Sequence, residues 1–366
     1  MEIRNLKLFC LALCAAAFAS SCDDDNNTDP YRGSIDNLPQ RRAFVLNQGS
    51  DGMNNAGLAL YAPEADSMFC ANIFRAQNGR ELGDNGQDLI TDGRYLYVSV
   101  SSSKYVAKLS LSGVEICRYA FGDKVGVPRS LVIDGNDLYV SVYGGYIFKL
   151  DAQTLTKKDS LATSGNNLEE MALCNGRLYA ANSWTMDGTA YVYNTDLVVV
   201  DTKTFAQVAS VEVAQNPNYL KVSDGKLFCL SFGNYYDKGY TLQMLDPESG
   251  AEPTIIGTAT QFAVGGGRVL TANSVTDWST YATTTTLAAY DPATGTTDDA
   301  FFADVPEALA KASVYMMAVD PEAGDIYVAT TDYYTDGTVY RFDADGRFAG
   351  SFGSCGLNPY KMIFVE

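Results

Sequence analysis

The sequence predicts an all-β fold, a seven-bladed β-propeller of four-stranded antiparallel blades. Two observations carry this reading. A strand-turn-strand unit recurs seven times along the chain. The innermost strand that the first unit lacks is found only at the far end of the chain.

The clearest unit is residues 134–155, DGNDLYVSVYGGYIFKLDAQTL. A polar turn at Asp134-Gly135 leads into an apolar, β-branched and aromatic run. The chain turns at Gly144-Gly145 and a second run ends on Asp151. This is the pattern of a β-hairpin with glycine turns. Two strands alone are marginal in water, so the unit needs neighbours. Copies begin at Arg42, Asp92, Asn175, Asp224, Gly266 and Gly324, at intervals of about 40 to 60 residues, the spacing of four-stranded propeller blades.

Ahead of each turn lies a short apolar run: DLI, RSLVI, EEMAL, NYLKV, QFAV and YMMAV. After each hairpin comes a polar-apolar strand such as VASVEV. The seventh inner run is missing at the start and appears as residues 358–365, NPYKMIFV. The expected arrangement is a closed ring, the C-terminal strand joining the N-terminal blade. Closure removes exposed sheet edges. A solenoid would need capping repeats, and none is visible. Residues 251–267 are weakly patterned, which leaves six or eight blades as alternatives.

In chain order, residues 1–21 read as a lipoprotein signal peptide, with Arg4 and Lys7 before an apolar stretch and small residues. The stretch is too short to span a membrane. Cys22 follows Ala19-Ser20-Ser21 and resembles a bacterial lipobox, with Ala19 where Leu is usual; lipidation is expected there. Residues 22–40, which include Asp23-Asp24-Asp25, read as a flexible acidic tether. The acidic run resembles the surface-export signal of Bacteroides-type lipoproteins. Residues 41–366 are the expected propeller, held at the outer face of the outer membrane by the lipid.

Composition excludes several function classes. The chain carries 44 acidic and 26 basic residues, a formal net charge of −18. Such a surface repels nucleic-acid phosphates. There is no histidine, which removes His-based triads and His-ligated metal sites. Of eight cysteines, Cys10 and Cys14 fall in the signal and Cys22 takes the lipid. Cys70, Cys117, Cys174, Cys229 and Cys355 remain, an odd number without CxxC spacing; buried free thiols are expected. Residues 343–346 are too short for a calcium loop and read as a turn. No nucleophile elbow or repeated carboxylate cluster stands out. The expectation is a protein that is not an enzyme, with no metal and no cofactor.

The repeats resemble the YVTN-type, or YncE-like, β-propellers, through LYAANS at Leu178 with LVVVDTKTF and through LYVSVYGG with FKLDAQTL. More narrowly, VLNQGSDGMNNAGLALYAPEADSMF, NGRELGDNGQDL and the closing GLNPYKM look like the DUF5074 family of surface lipoproteins. That family includes the cobalamin-capturing, BtuG-like lipoproteins. The resemblance implies a cell-surface protein that captures a corrinoid such as cobalamin and passes it to a TonB-dependent outer-membrane transporter.

In a propeller, the loops between the second and third strands gather on one face, with those leading into each innermost strand. Both tryptophans, Trp184 and Trp278, fall in these loops, with Tyr143, Tyr191, Tyr193, Tyr235, Tyr236, Tyr281, Tyr333 and Tyr334. Asp187, Asp237 and Asp277 lie among them. Asn54, Asn55, Arg80, Asp84 and Gln87 are expected on the same side in the first two blades. Rings on surface loops expose apolar area and usually cover something. Tyr and Trp join a flat apolar face to a hydrogen-bonding tip, which suits a large flat or sugar-like ligand. These residues form the expected ligand-binding set. The competing readings are loops that bury their own rings, a glycan-binding platform with Trp184 and Trp278 stacked on sugar rings, and a protein-interaction scaffold. For Asp84 and Gln87 the competing reading is a turn and a bond to backbone.

Overall fold

Two-residue turns fix the strand pairing. Asn175-Gly176, Asp224-Gly225 and Gly266-Gly267 all take left-handed φ between 50° and 73°. That geometry matches the twist of the strands it joins. The structure, a computed structural model, describes residues 31–365.

The described chain forms seven four-stranded antiparallel sheets. Blade one contains β1 (Arg42–Asn47), β2 (Gly57–Ala62) and β3 (Ser67–Cys70), and helix α1 (Ile73–Asn78) follows. Blade two is β4 (Gly86–Thr91), β5 (Tyr95–Val100), β6 (Tyr105–Ser110) and β7 (Glu115–Ala120). Blade three is β8 (Pro128–Asp134), β9 (Asp137–Val142), β10 (Tyr146–Asp151) and β11 (Lys157–Ala162). Blade four is β12 (Asn167–Cys174), β13 (Arg177–Asp187), β14 (Ala190–Asp201) and β15 (Ala206–Glu212). Blade five is β16 (Pro217–Ser223), β17 (Lys226–Ser231), β18 (Thr241–Leu245) and β19 (Thr254–Gly257). Blade six is β20 (Gln261–Gly265), β21 (Arg268–Asp277), β22 (Ala282–Asp291) and β23 (Thr296–Asp298). After helix α2 (Glu307–Ala310), blade seven is β24 (Ser313–Val319), β25 (Ile326–Thr331), β26 (Asp336–Phe342) and β27 (Phe348–Leu357). The last strand, β28 (Pro359–Val365), returns to blade one.

Closure follows the expected route. β28 pairs antiparallel with β1, with Ala43 opposite Phe364 and Val45 opposite Met362, and becomes the inner strand of blade one. The count is seven, including blade five, whose weakly patterned region supplies the short, mostly exposed β19.

Seven apolar clusters hold the ring, one between each pair of neighbouring blades. Phe44, Leu58, Leu96 and Leu109 join blades one and two. Tyr97, Val140 and Phe148 join two and three, and Tyr139, Leu178 and Val198 join three and four. Tyr179, Leu197, Leu227 and Cys229 join four and five. Phe228, Phe262 and Val269 join five and six, and Leu270, Val328 and Phe342 join six and seven. Val45, Tyr61, Tyr327 and Met362 seal seven to one. Fully burying each such Leu or Phe contributes about 1.5–3 kcal/mol, so no blade keeps its two apolar faces without both neighbours.

Residues 22–40 are expected as a flexible tether; of the ten described residues of that stretch, seven are exposed, and Ile35, Leu38 and Pro39 are half-buried. Ile35 and Leu38 pack on the cluster between blades one and two. Ser34 N donates to Gln77 Oε1 at 2.9 Å. The reason is apolar side chains in a segment that reads as polar by average. The next residues continue the contact. Arg41 pairs with Asp320, which follows the end of β24, and with Glu322. Arg42 Nη1 donates to Leu111 O in the β6–β7 turn at 2.8 Å. The chain therefore joins the propeller on the face opposite the long loops. The signal peptide, Cys22 and the acidic run lie outside the described residues.

Candidate functional site

The seven inner strands enclose a central channel of about 450 Å³. Its two ends differ in chemistry. Ile90, Ile133, Leu173, Val222, Val264 and Val319 line the end near the inner hairpin turns. At the loop-face end the lining is Gln87, Arg129, Glu169, Asn218, Tyr219, Gln261 and Tyr360.

A local irregularity positions many of these polar residues. Six of the seven inner strands break register near their loop-face end. The pairing skips Gln87 in β4, Arg129 and Ser130 in β8, and Glu169 and Glu170 in β12. It skips Asn218 in β16, Tyr315 in β24 and Tyr360 in β28. A β-bulge frees a residue from the ladder and re-aims its side chain. The strand heads thereby present a polar ring that regular alternation would turn partly into the blades.

Charges in the channel are paired across blades. Arg129 donates from Nε and Nη2 to Glu169 Oε2 at 2.9 and 2.6 Å, and from Nη1 to Gln87 Oε1 at 2.6 Å. Tyr143 donates its hydroxyl to Glu169 Oε1, and Arg129 lies 4.8 Å over the Tyr143 ring. Deeper in, Lys221 and Lys361 share Glu170 Oε1 at 2.6 and 3.1 Å, and Lys361 also reaches Asp88 Oδ1 at 3.0 Å. Burial opposes ionisation of Glu170, but the two lysines and the Leu220 N–H outweigh it and hold its carboxyl at about 2. Burial lowers the pKa of Lys221 against the pull of Glu170. Burial likewise acts against the charge of Lys361, yet Asp88 and Glu170 raise its pKa.

Around the mouth stand aromatic loops. Tyr143 meets Trp184 edge-on at 5.7 Å, and Trp184 meets Tyr191 at 5.1 Å. Tyr193 meets Tyr235 at 5.7 Å. Tyr315 touches both Tyr333 at 5.7 Å and Tyr360 at 5.9 Å. Tyr219, Phe232 and Tyr240 continue the collar, with successive centroid distances of 5.4 and 5.0 Å. Gly126 makes room for it: a Cβ there would sit 1.8 Å from Tyr143 O.

Blades five, six and seven share one device at their loop tips. Asn234 Oδ1 accepts from the N–H groups of Tyr236, Asp237 and Lys238 at 2.9–3.0 Å. Asp277 accepts from Ser279 N at 2.8 Å and Thr280 Oγ1 at 3.0 Å. Asp332 accepts from Tyr334 N at 2.9 Å and Thr335 N at 2.7 Å. Each turn carries a tyrosine with left-handed φ: Tyr235 at 60°, Tyr281 at 58° and Tyr333 at 67°. Bulky residues rarely adopt this region. Tyr236, Trp278, Tyr281 and Tyr334 stand 95%, 78%, 79% and 87% exposed. Tyr235 is itself 61% exposed, so only partial desolvation raises the pKa of its hydroxyl.

Most of the expected residues reach this face, but in different roles. Tyr143, Trp184, Tyr193, Tyr235 and Tyr333 join ring contacts of the collar. Tyr191 and Asp187 sit on a two-stranded arm where β13 and β14 run past their sheet, Met186 opposite Tyr191. Trp278 tips the matching β21–β22 arm, whose last pair is Asp277 with Ala282. Asp277 is occupied by its turn, and Asp237 accepts from Asn234 Nδ2 at 2.6 Å. Asn54 and Asn55 lie exposed in the β1–β2 loop, where Asn55 Oδ1 accepts from Ser50 N at 2.8 Å. Asp84 ties two loops together, accepting from Gly52 N at 2.9 Å while its own N–H donates to Ser103 Oγ at 2.8 Å. Its reading is the structural one. Arg80 is not brought to the mouth. It pairs with Glu115 of the outer strand β7 at 2.7 Å and lies 5.2 Å over Phe74, because α1 carries the chain along the rim.

Sequence reasoning missed Arg129, Glu169, Glu170, Tyr219, Tyr315, Tyr360 and Lys361. Their signal was available. Each stands at the head of an inner run otherwise read as apolar, where a charge or phenol breaks the pattern.

Fold and mouth together define the class: a seven-bladed β-propeller with a polar channel mouth inside an aromatic loop face. No protein-family model matches the chain, so the likeness to the DUF5074 and YncE-like families rests on the quoted motifs. No curated protein matches it either. Solved structures do match. A quinonprotein alcohol dehydrogenase-like protein from Bacteroides thetaiotaomicron is similar at 14% identity and TM-score 0.59, over 88% of this chain and 78% of that one. A protein of unknown function from Bacteroides caccae is similar at 10% identity and TM-score 0.51, over 88% and 99%. Hydrazine synthase of Kuenenia stuttgartiensis is similar at 17% identity and TM-score 0.55, over 69% and 74%. At these identities the likeness is one of fold.

Proposed function

We propose that this propeller is a cell-surface lipoprotein that captures a corrinoid such as cobalamin on its loop face and passes it to a TonB-dependent outer-membrane transporter. The fold suits ligand binding or an interaction scaffold, and in this reading the protein performs no chemistry on its ligand. One observation carries the binding role: three successive blades hold tyrosines in left-handed turns on the loop face, each turn locked by an Asn or Asp side chain. Left-handed backbone costs an L residue on the order of 1–2 kcal/mol, and such strain clusters at ligand clamps. The rings suit the apolar edges of a large ligand, and hydroxyls and side-chain amides suit its polar rim. The corrinoid and the transporter come from the motif resemblance.

Calorimetric titration of the full chain with cyanocobalamin tests this. The expected result is one-to-one binding that weakens at least about tenfold in a Tyr235→Ala, Tyr333→Ala double variant. Unchanged binding in the variant moves the site elsewhere. Absence of heat and of any thermal shift overturns the corrinoid reading. A glycan is the second reading, favoured by Trp278 and Tyr281 standing together on one exposed arm tip.

A further inference from the structure

We propose that the channel mouth is a subsite for an uncharged hydrogen-bonding group, an amide or a hydroxyl, and that it rejects charged groups. The inference deepens loop-face capture and rests on it for how a ligand arrives.

The argument is one of charge and valence. Three cations, Arg129, Lys221 and Lys361, face three carboxylates, Asp88, Glu169 and Glu170, and each is already paired. The carboxylates are also held by other donors. Glu170 Oε2 accepts from Leu220 N at 2.9 Å, and Asp88 Oδ2 from Leu131 N at 2.8 Å. An entering anion finds no unpaired cation, and an entering cation finds no unpaired carboxylate. Either must break an existing pair or remain uncompensated, and an uncompensated charge away from water is strongly unfavourable. The aliphatic far end of the channel offers nothing to solvate it.

Neutral groups meet a different reception. Asn218 uses its Nδ2 on Asn216 at 2.9 Å, and Gln261 uses its Nε2 on Tyr315 O at 2.8 Å. Among the described residues, neither side-chain oxygen has a protein donor. The hydroxyl of Tyr360, which accepts from Gln87 Nε2 at 3.0 Å, lines the same channel. The mouth thus presents amide acceptors next to phenol hydroxyls, the complement of an amide or a sugar hydroxyl. The channel volume of about 450 Å³ exceeds the need of one such group.

The test uses three molecules of nearly one shape and different charge: acetamide, acetate and acetamidinium. Each is titrated against the full chain, followed by NMR of the backbone amides of β8, β12 and β28. Acetamide is expected to shift residues near Arg129, Glu169 and Tyr360, with at least about tenfold tighter binding than either ion. Glu170→Gln, which takes from Lys221 its paired carboxylate and leaves Lys361 with Asp88 alone, is expected to admit acetate. Equal binding of an ion in the unaltered protein, or no binding by acetamide, overturns the proposal. None of the probes is a corrinoid, so failure here leaves the titration with cyanocobalamin to be judged by itself. Failure of that titration likewise leaves this charge selectivity intact.

Discussion

Arg129 of blade three and Glu169 of blade four grip each other at the channel mouth, with two guanidinium nitrogens on one carboxylate oxygen at 2.9 and 2.6 Å. The side chains are only 17% and 10% exposed. Removing one partner strands the other charge. Arg129→Met should lower stability by about 3 kcal/mol, whereas the Arg129→Met, Glu169→Met double variant should recover most of it. Denaturant titration measures both. Equal losses in single and double variants would refute the coupling.

Glu170 sets a pH dependence. Its folded-state carboxyl is held at about 2, below the ordinary value of 4.5. A depressed pKa means stabilisation that is fully present above the ordinary value and lost as pH falls through the folded one. The loss should therefore spread between roughly pH 4.5 and pH 2. Glu170→Gln should begin less stable and lose less over that window. Thermal unfolding at stepped pH reads this out, and parallel curves for the two proteins would contradict it.

Tyr281 links stability to binding. It is 79% exposed and has φ of 58°, so little packing repays its strained backbone. Tyr281→Gly should stabilise the fold by about 1 kcal/mol. If the arm tip contacts ligand, the same change weakens binding. A less stable variant would show that the ring is held by packing.

The thiols give a chemical check. The five cysteines of the described residues are free, and Cys174 and Cys229 are buried. Burial pushes the Cys229 thiol up to about 12. Native protein at pH 8 should therefore leave Cys229 unlabelled by a thiol reagent, and denaturant should expose it. Rapid native labelling at Cys229 would count against this packing.

Turns, strands and ring closure were legible because they obey short-range rules. Asn175-Gly176 and Asp224-Gly225 sit where two left-handed residues are required, and NPYKMIFV is an inner strand without a hairpin beside it. The loop aromatics were legible because rings in polar surroundings stand out. The channel mouth was not. Arg129, Glu169 and Tyr360 lie on register breaks, where two-residue alternation no longer says which way a side chain points. Asp277 and Asp84 show a second limit: a carboxylate that caps its own loop reads the same in sequence as one awaiting a ligand. Arg80 was misplaced because the loop containing it first makes a helical turn along the rim.

Arg41 and Arg42 clasp two turns on the side away from the aromatic arms, so the chain enters the propeller from that side. Cys22, the site of the proposed lipid, stands nine positions before Tyr31, and nine residues reach at most about 30 Å. If that lipid anchors the protein as proposed, the face carrying Arg41 and Arg42 would lie toward the membrane and the aromatic arms away from it, like an upturned hand. A molecule from the surroundings meets the arms first. Were the proposed transporter to sit in that membrane, it would reach the arms only if the hand tipped over, so delivery would be a turning motion, and deleting residues between Cys22 and Tyr31 would hinder delivery while leaving capture intact.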